Sequence, residues 1–224
     1  MALSDSPAHL EEIEHYKRAA AQAAAQLVFD GARVGLGTGS TVAHLLPALA
    51  ARGLDLRCVA TSPATGSAAR ELGLAVFELD ELEQLDIAID GADQIDPTGW
   101  LIKGGGGAHT REKIVAAAAE RFVVIASAEK AVDQLTPPVP LEIMRFGAHR
   151  TLGTLAPSRL REIPPSPDGN LIADYYGAIE DPRALARRLA GVPGLVEHGL
   201  FEPELVSDVL LAGQDGVEHR RMQR

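Results

Sequence analysis

The sequence lacks several features that would each place it in a different class of protein. Its single cysteine, Cys58, cannot form a disulfide within the chain, which agrees with a reducing compartment. No apolar run approaches the ~20 residues of a membrane-spanning helix. The acidic opening MALSDSPAHLEEIEH has no apolar signal-peptide core. We therefore expect a cytoplasmic protein with no membrane partner, in which Cys58 is a buried strand thiol.

Positive charge is also scarce. The chain has 21 Lys and Arg against 31 Asp and Glu, which gives a net charge of −10. Such a chain is a poor partner for nucleic acid, so we expect none. The same imbalance means that an anionic substrate must meet a locally positive site. In other respects the composition, 46% apolar and 23% charged, is that of an ordinary globular protein.

Short apolar runs rich in valine and isoleucine alternate with helical stretches. This alternation predicts βαβ units and an α/β fold, a Rossmann-like, mostly parallel sheet with helices on both faces. After Pro137 prolines cluster, and the pattern changes to that of a smaller α+β lobe. We expect residues 1–136 to form the catalytic α/β domain, completed by residues 203–224. Residues 137–202 would form the lobe.

The hydrophobic pattern also predicts the individual elements. Strands are expected at 33–36, 56–60, 75–78, 86–89 and 122–126, with helices at 9–29, 40–52, 65–72 and 110–120. After residue 137, strands are expected at 141–145, 171–175, 195–201 and 207–211, around a helix at 182–190. Lys17 falls on the apolar stripe of the first helix, where the pattern alone indicates a lysine at the edge of a buried face.

The first stretch that carries chemistry is GLGTGST at 35–41, where a strand leads into a helix. A helix N-terminus offers unpaired N–H groups and partial positive charge, which suit a phosphate. A dinucleotide site would need a third glycine where Ser40 stands, and a Walker A loop would need Gly-Lys-Ser/Thr. The stretch therefore favours a single phosphate, and a tight strand–helix turn without a ligand is the alternative.

The second stretch is DIAIDGADQIDP at 86–97, which places Asp90, Asp93 and Asp96 at or just after a strand end. Open α/β sheets place their sites at the carboxyl ends of strands. The spacing lacks the D-x-D-x-D-G of a calcium loop, and no histidine lies nearby, so we expect no metal. Asp96 before Pro97 is typical of a turn. Asp90 and Asp93 are better candidates for hydroxyl binding and proton transfer.

The third stretch is LIKGGGGAHTREK at 101–113, with four consecutive glycines after Lys103. Each glycine costs roughly 0.5–1 kcal/mol relative to alanine in regular structure, so the run calls for an explanation. Bare amides beside a lysine can stabilise an oxyanion, and Glu112 could act as a proton-transfer base.

Thr110 is the expected N-cap of the helix that follows the glycines. A helix N-terminus lowers the pKa of Glu112, whereas a strong base needs a raised one. The alternative is a flexible surface loop followed by a glutamate that complements the helix dipole. Taken together, the three stretches fit acid–base chemistry on a small phosphorylated polyol, at strand ends of one sheet, without a metal or a dinucleotide.

The motifs GLGTGST, DGAD followed by Gln-Ile, and KGGGGAHTREK resemble the signatures of the A-type ribose-5-phosphate isomerase family, in order and in approximate spacing. The resemblance extends from the Lys17 helix to PGLVEHGLF at 193–201. It implies interconversion of ribose 5-phosphate and ribulose 5-phosphate through an enediolate, in the non-oxidative pentose phosphate pathway. It also implies no cofactor and a homodimer or larger homo-oligomer.

The resemblance further implies residue roles. Glu112 would move the proton between C2 and C1, Asp90 would assist ring opening, and Lys103 would stabilise the enediolate oxygen. The implied substrate-binding positions are Lys17, Thr38, Gly39, Ser40, Thr41, Asp90, Gly91, Ala92, Asp93, Lys103, Gly104, Gly105, Gly106 and Lys130.

The sequence departs from the family pattern at several places and leaves rival functions to weigh. Gln94 stands where glutamate is usual, His109 where leucine is usual, Glu129 precedes Lys130, and SPDGN replaces TDNGN. An amino-sugar phosphate deaminase-isomerase would not need the KGGGG…TREK segment. A non-catalytic sugar-phosphate sensor would keep the phosphate loop and discard the base. A metal-dependent isomerase would lose its activity in a chelator.

Overall fold

A computed structural model of the protein describes residues 7–82 and 84–222. The elements of the first half are α1 (Pro7–Ala25), β1 (Arg33–Leu36), α2 (Ser40–Ala50), β2 (Arg57–Ala60), α3 (Pro63–Glu71), β3 (Ala75–Phe77), β4 (Leu85–Asp90), β5 (Gln94–Ile95), β6 (Leu101–Ile102), α4 (His109–Ala117) and β7 (Ala119–Ser127). Those of the second half are β8 (Val139–Ile143), α5 (Ala148–Thr154), β9 (Ser158–Leu160), β10 (Leu171–Tyr175), α6 (Pro182–Ala190), β11 (Leu195–His198), β12 (Leu200–Phe201), β13 (Asp208–Gly213) and β14 (Gly216–Arg221).

The main sheet has seven strands in the order β14-β13-β7-β4-β1-β2-β3. All neighbours pair in parallel except β13 and β14, which form an antiparallel hairpin at one edge. The prediction of an α/β fold with a mostly parallel sheet is therefore confirmed. Cys58 lies fully buried in β2, and burial raises the pKa of its thiol to about 12.

Helices cover both faces of the main sheet, as expected. One apolar cluster joins α1 and α2 to the sheet through residues such as Leu45, Leu49 and Ile89. The other joins α4 to the opposite face through Val115 and Phe122. Side chains alternate along each strand, so β2, β4, β7 and β13 each supply both clusters. This arrangement places α2 and α4 on opposite sides of β1 and β4.

Two further sheets lie outside the main one. A four-stranded antiparallel sheet, β11-β8-β10-β9, packs with α5 and α6 around a third apolar cluster. A three-stranded sheet, β12-β6-β5, is made of two-residue strands. Its β6 belongs to the predicted catalytic domain and its β12 to the predicted lobe. The division at residues 136 and 202 stays a prediction.

Several predicted elements need correction. The strand expected at 195–201 is two strands, β11 and β12, which pair with different sheets. The helix expected at 9–29 ends at Ala25. No sequence signal indicated α5, β9 or β14, because their exposed polar residues follow no clear apolar period. None of the helices in the described ranges is long and apolar enough to cross a bilayer.

Candidate active site

The turn between β1 and α2 forms a cradle at the start of a helix. Gly39 precedes the first residue of α2, so the unpaired N–H groups of that helix open onto Thr38–Thr41. The Thr38 hydroxyl lies 2.8 Å from the Thr61 hydroxyl, which comes from the end of β2. This contact fixes the first hydroxyl of the cradle. The arrangement suits an anion, as the sequence predicted.

Asp90 is the last residue of β4 and lies directly beneath this cradle. Its Oδ1 accepts hydrogen bonds from the backbone N–H groups of Thr38 (3.1 Å) and Gly91 (2.7 Å). A side chain at Gly37 would collide with it, since a Cβ there would lie 2.0 Å from the Asp90 carboxyl group. The glycine of the first motif is thus needed for the carboxylate of the second.

Lys103 joins the cluster from a different sheet. We predicted that all three stretches end strands of one sheet. That is wrong for Lys103, which follows β6 of the three-stranded sheet. Its ammonium Nζ lies 2.9 Å from Asp90 Oδ2, 3.1 Å from Glu112 Oε2 and 2.6 Å from the carbonyl oxygen of Gly91. Because Lys103 is only 3% exposed, these three oxygens take the place of water around the charge.

Glu112 reaches Lys103 from the first turn of α4. The helix begins at His109 with Ala108 as its N-cap, so the prediction that Thr110 caps it is wrong. Thr110 lies one residue inside the helix, and its hydroxyl donates to the buried carboxylate of Glu142 instead. Gly35 allows α4 to approach the sheet closely, since a Cβ there would lie 2.4 Å from Val115. Glu112 is thereby held over the end of β4.

Burial decides the electrostatics of this cluster. It raises the pKa of Glu112 to about 8, and the neighbouring charge of Asp90 acts in the same direction, while Lys103 opposes both. Burial likewise raises the pKa of Asp90, against the pull of Lys103. Burial disfavours the ammonium of Lys103, but the two carboxylates outweigh it and raise its pKa. The tension noted for Glu112 is thus resolved, because desolvation exceeds the effect of the helix N-terminus.

The glycine loop, Gly104–Gly107, runs past this cluster. The Gly105 N–H donates to Asp93 Oδ2 at 2.8 Å, and the Gly107 N–H donates to the carbonyl oxygen of Gly104 at 3.0 Å. The amides of Gly104 and Gly106 have no hydrogen-bond partner within the described parts of the chain. Those two amides are therefore the ones that a ligand could use.

The four positions of the loop differ in how strictly backbone angle and space require a glycine, and mutation can test this difference. Gly104 has φ +111° and a Cβ there would lie 2.7 Å from both His109 and Pro140, whereas at Gly106 the nearest atom is 4.0 Å away. We expect Gly104→Ala to lower the free energy of unfolding by about 2 kcal/mol or more, because it combines strained backbone with a clash. Gly106→Ala, the matched variant, should change it by less than about 0.5 kcal/mol. Equal losses in denaturant unfolding would contradict this reading.

These groups line a cavity of about 420 Å³. All the predicted site residues line it except Asp90, which lies beneath its floor. Lys17 and Lys130 stand at the side of the cradle, and Lys17 also contacts Glu14 at 2.7 Å. Lys17 therefore lines the cavity from α1, and its role in substrate binding stays a prediction. A larger cavity of about 660 Å³ lies on the other side of α4, but Glu112 and Lys103 do not line it.

Several residues around the cavity had no signal in the sequence. Thr61 and Thr65 orient Thr38 from another strand and helix, and Glu14 links Lys17 to His44, which lies 2.8 Å from it. Such contacts join distant parts of the chain and leave no local pattern. No group of three or more His, Cys, Asp or Glu within residues 7–82 and 84–222 could hold a metal ion.

Comparison with known proteins places this arrangement in a wider context. The family model described as ribose 5-phosphate isomerase A (phosphoriboisomerase A) matches residues 57–216. A ribose-5-phosphate isomerase A of Caulobacter vibrioides is 48% identical over 217 residues, which cover 90% of this chain and 95% of that protein. One of Roseiflexus sp. (strain RS-1) is 46% identical over 219 residues, covering 90% of this chain and 94% of its own.

Solved structures agree with the sequence matches. The crystal structure of ribose 5 phosphate isomerase A from Neisseria gonorrhoeae superposes with a TM-score of 0.90 at 32% identity, covering 95% of this chain and 98% of that one. A D-ribose-5-phosphate isomerase in complex with phospho-erythronic acid superposes with a TM-score of 0.88 at 32% identity, covering 93% and 99%. The fold is therefore shared with these two structures over 95% and 93% of this chain.

Proposed function

The chain belongs to the ribose 5-phosphate isomerase A family and interconverts ribose 5-phosphate and ribulose 5-phosphate, and we propose that Glu112, Lys103 and Asp90 carry the reaction. One observation above all supports this assignment. The Lys103 ammonium lies within 3.1 Å of two buried carboxylates at the base of a cavity whose other end is a helix N-terminus. No cofactor is needed in this scheme.

The cradle holds the phosphate end of the substrate. The N–H groups at the start of α2 and the hydroxyls of Thr38, Ser40 and Thr41 donate to the phosphate oxygens. Lys17 and Lys130 supply positive charge from the cavity wall, which offsets the net charge of −10 of the chain. Asp93, Gly91 and Ala92 line the middle of the cavity, where Asp93 accepts hydrogen bonds from sugar hydroxyls.

The reacting end lies against Glu112 and the glycine loop. The Glu112 carboxylate removes the proton from C2 of the open-chain aldose. The electron pair of that C–H bond forms the C1–C2 double bond, and the carbonyl pair moves onto O1. Lys103 and the free loop amides stabilise the resulting oxyanion. Glu112 then returns the proton to C1, while the hydroxyl proton on O2 passes to O1 and C2 becomes the carbonyl.

Asp90 assists ring opening from beneath the cavity. Only 3% of the residue is exposed, and its Oδ2 faces Lys103, so it acts by keeping the ammonium charged and in place. The Lys103 ammonium then donates a hydrogen bond to the ring oxygen while the bond between C1 and that oxygen breaks, and the proton of the C1 hydroxyl passes to the ring oxygen. The remaining oxygen of Asp90 holds the cradle through the Thr38 N–H, which couples the two ends of the site.

The dependence of activity on pH tests this scheme. A base with a pKa of about 8 works only when deprotonated. Below pH 8, kcat/KM should therefore fall about tenfold for each pH unit. Asp90→Asn removes a neighbouring charge that raises the pKa of Glu112. In this variant the fall in kcat/KM should therefore begin at a lower pH than in wild type. Initial rates measured across pH with excess EDTA give the profiles of wild type and Asp90→Asn. An unchanged profile in the variant, or activity that requires an added divalent cation, would contradict the scheme.

The setting of the enzyme is a further part of the proposal. We infer a cytoplasmic homodimer or larger homo-oligomer that binds neither nucleic acid nor membrane. The free, buried Cys58 and the excess of acidic residues support this setting. Light scattering of the purified protein measures the assembly, and a monomer at micromolar concentration would contradict it.

A further inference from the structure

The glycine loop is held from outside the cavity by one arginine of the four-stranded sheet. Arg161 follows β9, and its Nη1 donates to the carbonyl oxygens of Gly104 (2.9 Å) and Gly105 (3.0 Å). Arg161 does not line the cavity, so it does not touch a substrate there. It is the one side chain in the described ranges that hydrogen-bonds to the carbonyl groups of the loop.

The guanidinium group of Arg161 is fixed before it reaches the loop. Its Nε and Nη2 donate to the two carboxylate oxygens of Asp174 at 2.8 and 2.6 Å. Asp174 is buried in β10, and the Arg161 backbone N–H donates to the carbonyl oxygen of Ile172 in the same strand. A planar guanidinium paired in this bidentate manner has one defined orientation. The loop therefore meets a rigid donor.

The orientation of the loop amides follows from this contact. In a trans peptide the N–H points opposite to the C=O, and the cis bonds of the described chain are at prolines only. The two carbonyls that face Arg161 therefore turn the N–H groups of Gly105 and Gly106 the other way. The Gly105 N–H indeed donates to Asp93, which lines the cavity. The Gly106 N–H, on the next peptide, has no partner in the described chain.

We propose that Arg161, held by Asp174, is a positioning residue that aims the Gly106 amide into the cavity and strengthens it as an oxyanion donor. A hydrogen bond at a carbonyl polarises the peptide and makes its N–H a better donor. This inference rests on the proposed function, because it assigns the amide to the reacting end of ribose 5-phosphate. The phosphate cradle lies at the start of α2, and within the described chain the hydrogen bonds of the Arg161 side chain go to Asp174, Gly104 and Gly105 and not to the cradle.

The test separates the two ends of the substrate. In Arg161→Lys and Arg161→Met, kcat should fall at least about tenfold, since loss of one oxyanion donor costs about 10²–10³ in kcat elsewhere. KM should change less than about threefold. Inhibition by phospho-erythronic acid, which carries a carboxylate as well as a phosphate, should weaken about tenfold, whereas inhibition by inorganic phosphate should stay within about twofold. Asp174→Asn should shift the same quantities in the same direction.

Arg159→Met is the matched control, because Arg159 lies on β9, two residues before Arg161, and stacks on Tyr176, with no hydrogen bond to the loop in the described chain. It should leave kcat within about twofold of wild type. Unchanged kcat in folded Arg161 variants, or an equal weakening of both inhibitors, would overturn the inference. Should Arg161→Met fail to fold, Arg161→Lys and Asp174→Asn decide by the same readouts. A wild-type protein without turnover would instead contradict the proposed function.

Discussion

Replacement of Glu112 with glutamine is expected to lower kcat for ribose 5-phosphate about 1,000-fold while KM changes less than about threefold. Glutamine has nearly the same shape but cannot take a proton from carbon. Glu112 is the only carboxylate in the described chain that both lines the cavity and contacts Lys103. The substrate would still bind through the cradle, which Glu112 does not form. Steady-state kinetics on both proteins measure the two constants.

Glu129→Gln is the control for this prediction. Glu129 also lines the cavity, but it lies beside Lys130 and away from the Lys103 cluster. Removal of its charge should leave kcat within about threefold of wild type, and any larger change should be in KM. Turnover of Glu112→Gln within about tenfold of wild type would rule out Glu112 as the essential base. In that case Asp93, the other carboxylate lining the cavity near the glycine loop, would become the candidate.

Lys103→Met is expected to lower kcat about 100- to 1,000-fold, because the ammonium stabilises the oxyanion in a site that excludes water. It should also destabilise the fold by up to about 3–5 kcal/mol, the usual cost of breaking a buried ion pair. The loss of stability depends on pH in a defined way. Without Lys103 the pKa values of Asp90 and Glu112 rise further, and carboxylates with raised pKa values favour folding only while protonated. The stability gap to wild type should therefore widen most from pH 7 to pH 9, where Glu112 of wild type ionises and Glu112 of the variant stays protonated.

Lys113→Met is the matched control for the lysine. Lys113 is also mostly buried, and its Nζ lies 5.0 Å from the ring centroid of Phe201, but it pairs with Glu197 instead of with Asp90 and Glu112. Its removal should lower stability without a comparable loss of kcat. Urea unfolding at both pH values and initial rates distinguish the two variants. A stability gap for Lys103→Met that narrows from pH 7 to pH 9 would contradict the arrangement of charges.

The sequence predicted the elements that have a strong apolar period. Strands β1 and β10 and helix α6 begin and end where expected, since each has a clear pattern and turn residues at its ends. The edge strand β14, GVEHRR, was missed because its charged side chains face solvent and only pairing with β13 makes it a strand. Helix α5 is short and half exposed, so its sequence alone gave no sign of it.

The site was predictable to the extent that its residues lie in compact motifs. The structure brings the three motifs together at one cavity, but the motifs did not reveal that β6 belongs to another sheet or that Arg161 holds the loop. Both depend on pairing between residues far apart in the chain. One departure from the family pattern has a physical explanation. The amide of Gln94 both donates to and accepts from the backbone of Thr136, which a glutamate could not do.

The most direct test of proton transfer through an enediolate is isomerisation in D₂O. Ribose 5-phosphate would be incubated with the enzyme and excess EDTA for many turnovers, and both sugar phosphates analysed by NMR. Because Glu112 carries the proton between catalytic steps, the account predicts deuterium at C1 of ribulose 5-phosphate and at C2 of recovered ribose 5-phosphate. Full turnover over many cycles with no deuterium at either carbon, the result expected of hydride transfer from C2 to C1, would contradict the account.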